Sequence, residues 1–169
     1  MPDKALDVYL NDHLGGATLG SALAEQIREH AAGTPLGDLM AGLASEIEAD
    51  SQTLADLMEQ LGTSRNAVKQ VTGWLAEKAS RAKFTGTTSG EPDFGLFMAL
   101  ETLTLGVEGK LSLWKALKEV AGEYAPLAAA NLDALIARAE SQHQVLEGER
   151  IAAARRALSP VGASSAEAP

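Results

Sequence analysis

Apolar residues recur every three or four positions over stretches far too long for a β-strand, and this spacing constrains the fold more than any other feature. Leu6, Tyr9, Leu10, His13, Leu14, Ala17, Leu23 and Ile27 share one face of a helix predicted over about 5–31. Gly33-Thr34-Pro35 then ends one helix and starts another, with glycine as the stop, threonine as the cap and proline in the first turn. Leu36, Leu39, Met40, Leu43, Ile47, Leu54, Leu57, Met58 and Leu61 continue the stripe to Gly62. Glu46 and Asp50 fall on that same face and interrupt it. A link this short makes the two helices an antiparallel hairpin. Gly15, Gly16 and Gly20 weaken the first helix, and the expected return is close approach of another helix, or of a ligand.

Thr63 or Ser64 caps a shorter predicted helix that ends near Lys83 and carries Val68, Val71, Trp74 and Leu75. Residues 84–92 read as a loop, with Asp93 as the next cap. Leu96, Leu100, Leu103, Val107, Leu111, Trp114 and Leu117 define a helix over about 94–122, with Glu101 and Glu108 on its flank. A last helix is predicted over about 127–158, before Pro160 stops it. Residues 159–169 have no apolar period, and a disordered tail is expected. No alternating pattern of a half-buried strand occurs. The chain therefore reads as all-α, a four-helix bundle over 5–158 made of two antiparallel hairpins, with a short helix in the crossover connection.

Composition removes several chemistries. Without cysteine there is neither a disulfide nor a thiolate ligand, so a metal would need carboxylates and imidazoles. A formal charge of -9 opposes phosphate backbones and anionic lipid, so neither nucleic acid nor membrane is expected as a partner. No apolar run reaches the roughly 18 residues of a membrane span, and Met1-Pro2-Asp3-Lys4 opens no signal core, so a cytoplasmic location is expected. There is no glycine-rich phosphate loop and no nucleophile elbow, and no organic cofactor is expected.

The candidate chemistry lies in Glu140-Ser141-Gln142-His143. Residues three apart share a helical face, so Glu140 and His143 can point together at one ion. In an antiparallel hairpin with its turn near 122–127, Glu108 faces residues near 141, which brings a second carboxylate to the same level. The same register sets Glu101 beside Glu147, which can accept from the imidazole or pair with Arg150. In the first hairpin Glu46 falls opposite Ser21 and Asp50 opposite Ala17, with His13 a turn away. Salt bridging to basic residues of the connector is the competing expectation for Glu46 and Asp50, and a hydrogen-bonded core position is the one for His13.

In these features the chain resembles the ferritin-like superfamily of di-iron or di-manganese carboxylate bundles, in which two helices each give a Glu and two others each give Glu-x-x-His. Glu108 matches the single Glu of the third bundle helix, Glu140 and His143 match the Glu-x-x-His of the fourth, and Glu46 matches the Glu of the second. Ala49 stands where that helix's histidine would be, with Asp50 one step later. The resemblance implies a metal-binding protein, with iron or manganese on Glu108, Glu140 and His143 and contributions from Glu46, Asp50 and His13, and oxidoreductase chemistry at the metal. The alternative is a metal-free helical scaffold that acts through homodimerisation or protein–protein contact, its polar centre serving as a buried charge network.

Overall fold

A computed structural model describes residues 3–63 and 92–159, and all the long elements in these are helices. They are α1 (Lys4–His30), α2 (Pro35–Leu61), α3 (Pro92–Glu119), a 3-10 turn (Ala121–Glu123), α4 (Ala125–Ala129) and α5 (Leu132–Leu158). The predicted connector helix to Lys83, the loop before Pro92 and the tail beyond Ser159 lie outside the described residues. No described helix is long and apolar enough to cross a membrane.

The turn between α1 and α2 forms as its residues dictate. Gly33 takes a positive φ of 77°, and the Thr34 hydroxyl accepts from the Gly37 amide at 3.2 Å while donating to the Ala31 carbonyl at 2.7 Å. Gly37 is needed for a different reason. A Cβ there would sit 2.3 Å from the Ala31 carbonyl oxygen, a backbone atom that cannot swing away. Gly37→Ala is therefore expected to lose about 1–3 kcal/mol in urea denaturation, although alanine is the better helix former. At the far end of α2, Gly62 adopts φ 71° and the amides of Gly62 and Thr63 close on the carbonyls of Glu59 and Met58, both at 3.0 Å.

The last predicted helix is two elements. Ala130 is extended, with ψ 143°, and the Asn131 side chain accepts from the Ala134 amide at 3.1 Å, so α5 starts at Leu132. Asn131 followed by Asp133 in the first turn is a helix start that the apolar spacing alone had hidden.

Two core clusters give the topology. One joins Leu23 and Ile27 of α1, Met40 and Leu43 of α2, Leu100 and Leu103 of α3, and Leu146 and Ala153 of α5. The other joins Leu10 and Leu14 of α1, Leu54 and Met58 of α2, Trp114 and Leu117 of α3, and Leu132 and Leu135 of α5. Each helix thus runs from one cluster to the other, α1 against α2 in direction and α3 against α5. Helices α2 and α3 run the same way, so Leu61 and Pro92 stand at opposite ends of the bundle. The chain is a helical bundle of two antiparallel hairpins. α1 packs closely on α2 and α3, and α3 on α5, whereas α2 and α5 approach each other only sparsely.

Candidate functional site

Long polar side chains bridge the sparse α2–α5 face. Asp50, one turn beyond Glu46 on α2, is 1% exposed and accepts three donors. Arg138 of α5 donates to its Oδ1, while Lys110 of α3 at 2.6 Å and the Gln142 amide of α5 at 3.2 Å donate to Oδ2. Gln142 also donates to Glu46 Oε2 at 3.0 Å, and its own carbonyl accepts from Lys110 Nζ. Lys110, Arg138 and Gln142 thus each donate to an acceptor on another helix, while Arg138 Nε is buried with no partner among the described residues. The formal charges of Glu46, Asp50, Lys110 and Arg138 cancel. Burial pushes the Lys110 ammonium below the usual lysine range, against the opposing pull of the Asp50 carboxylate beside it.

The sequence-predicted ligands separate around this network. Gln142, not its neighbours, takes the interior position of the Glu140-to-His143 quartet, because it continues the buried stripe of Leu135, Ala139 and Leu146. Glu140 is turned to solvent and pairs with Lys115 at 3.2 Å. His143 keeps Glu108 within 3.5 Å, both of them partly exposed, close to the hairpin register expected for them. Glu101 pairs with Arg150 at 3.2 Å, and Glu147 holds the same guanidinium at 2.7 Å. Among the described residues, no three His, Asp or Glu side chains converge where they could hold an ion. Gln142 bridges Glu46 and Asp50, and Asp50 pairs with Lys110 and Arg138, none of them residues of the connector.

Lys110, Arg138 and Gln142 are the residues that sequence reasoning overlooked. Gln142 carried a usable signal, standing seven residues after Leu135 and four before Leu146 on one stripe. Lys110 lies three residues after Val107 and four before Trp114, both buried, and so is a charge on the edge of a core stripe.

Beside the network lies a second feature, a mostly apolar cleft of about 320 Å³ between α1, α2 and α3. Lys110 and Asp50 border it, as do His13 and Trp114. Exposed Asp12 and Gly106 mark where it reaches the surface. His13 stands edge-on to Tyr9, ring centroids 4.6 Å apart, and burial lowers its pKa against the opposing influence of Asp12. Trp114 is 1% exposed and its Nε1–H has no hydrogen-bond partner among the described residues.

Four helical glycines line this cleft, Gly16 and Gly20 on α1 and Gly106 and Gly109 on α3. Among the described residues, a Cβ added at any of them meets nothing within 4 Å. The close helix contact expected for Gly16 and Gly20 is therefore not their role, since these glycines keep space open instead. Each gives up about 1 kcal/mol of helix stability relative to alanine. Gly16→Ala and Gly106→Ala are each expected to raise the unfolding free energy by about 0.5–1 kcal/mol, read as a higher denaturation midpoint with an unchanged slope.

Comparison with protein-family models, with curated proteins and with solved structures gives no match for this chain.

Proposed function

We propose that this chain is a metal-independent binding protein that holds a small, mostly apolar molecule in the cleft between α1, α2 and α3. The observation that carries this reading is the set of four glycines in two facing helices that border open space, at a cost to both helices that no packing contact among the described residues returns. A volume of about 320 Å³ with few polar groups matches the low end of small-molecule sites. The reading takes up the metal-free bundle that stood as the alternative in the sequence and gives it a ligand. Thermal unfolding in the presence of 2-methylnaphthalene tests it. At one hundred times the dissociation constant, stabilisation of about 2.7 kcal/mol is expected. The double variant Gly16→Leu/Gly106→Leu, with the cleft filled by its own side chains, should show none. Equal stabilisation of both proteins would end the cleft reading.

A ferritin-like arrangement is favoured by the parallel course of α2 and α3 and by the nearness of Glu108 and His143. In such an ancestry Lys110 and Arg138 supply the positive charge that a metal would otherwise give to Glu46 and Asp50. Elemental analysis after anaerobic loading separates the two: stoichiometric iron or manganese, lost in His143→Ala, would establish the metal-binding reading in place of ours.

A further inference from the structure

Resting on the cleft reading, we infer that the occupant is an uncharged molecule, apolar in its body, with one accepting oxygen that bonds to the Lys110 ammonium. Three observations lead there. First, an ammonium carries three hydrogens, and Lys110 spends two of them, on Asp50 and on Gln142. The third has no acceptor among the described residues. Second, Lys110 keeps 13% of its side chain exposed and borders the cleft, whereas Asp50 beneath it keeps 1%. Both border the cleft, and the ammonium is the more open of the two to a molecule there. Third, the formal charges of Glu46, Asp50, Lys110 and Arg138 already cancel, and burial disfavours the charged form of His13. A carboxylate brought into this space would be an uncompensated buried charge, whereas a carbonyl oxygen would satisfy the spare donor at no such cost.

Gly106 and Gly109 support the same geometry. They lie one turn before Lys110 and directly before it, and neither places a side chain in the space beside the ammonium.

Three probes of nearly equal size test the inference by calorimetric titration of the full chain: 2-acetylnaphthalene, 2-methylnaphthalene and 2-naphthoate. The ketone is expected to bind about 5- to 10-fold more tightly than the hydrocarbon, the yield of one added hydrogen bond. Naphthoate is expected to bind most weakly. Lys110→Met should abolish the ketone's advantage while leaving hydrocarbon binding in place. Because that variant also strips a partner from Asp50, Asp50→Asn serves as a second probe of charge balance, and it should shift preference toward naphthoate. Equal binding of ketone and hydrocarbon, or tightest binding of naphthoate by the unaltered chain, overturns the inference and leaves the cleft reading standing. Binding of none of the three takes down both.

Discussion

Asp50→Ala is expected to destabilise the fold by about 3–5 kcal/mol, the largest loss from any single polar substitution in this chain. The carboxylate holds together α2, α3 and α5 through donors from Lys110, Arg138 and Gln142. Removing it leaves the Lys110 ammonium buried with only the Gln142 carbonyl, and a buried charge without its counter-charge is costly. Arg138 suffers less, because its side chain is 36% exposed and can turn to water. The double replacement Asp50→Leu/Lys110→Met should recover most of the loss, since well-packed apolar residues often substitute for a buried ion pair at little cost. Urea denaturation of Asp50→Leu, of Lys110→Met and of the double variant completes a mutant cycle. A coupling near zero would show that the pair does not act as a unit.

Trp114→Ala is expected to lose about 3–5 kcal/mol as well, by a different route. The indole is 1% exposed among Leu10, Leu14, Leu111 and Leu117 of the second core cluster and also borders the cleft, so truncation enlarges an existing space that the helices cannot close. Trp114→Phe isolates the role of volume from that of the polar atom. The indole N–H has no partner among the described residues, so no hydrogen bond is lost with it, and the phenyl ring removes a buried donor that was already unsatisfied. A loss of about 1 kcal/mol or less is expected for Trp114→Phe in the same denaturation experiment. A loss as large as that of Trp114→Ala would mean that the indole nitrogen makes a contact of its own.

The limits of sequence reading are clearest in Glu140-Ser141-Gln142-His143. The hairpin register was legible, and it brings Glu108 to His143. What was misjudged is the rotation of α5. Glu140 and His143 share a face, but Leu135, Ala139, Gln142 and Leu146 point to the core, so the acid and the imidazole lie together on the flank that meets Lys115 and Glu108 of α3 rather than facing inward. One step along a helix turns a side chain by about 100°, enough to exchange a ligand position for a solvated one. A similar lesson applies to Gly16 and Gly20. Their lack of a side chain was plain, yet only the neighbouring helices reveal whether the freed space is filled or left open.

By itself the sequence determined the helical class, the hairpin turn at Gly33-Thr34-Pro35, the ends of α1 and α2, and the acids that interrupt the apolar stripe. These follow from local causes: side-chain period, backbone freedom at glycine and capping by threonine. The tertiary structure alone decided which cations answer Glu46 and Asp50, and where the helices leave a cleft. Those depend on helix rotation and separation, and residues 60 and 88 positions apart meet at Asp50 because packed helices bring them there, not because any local rule links them.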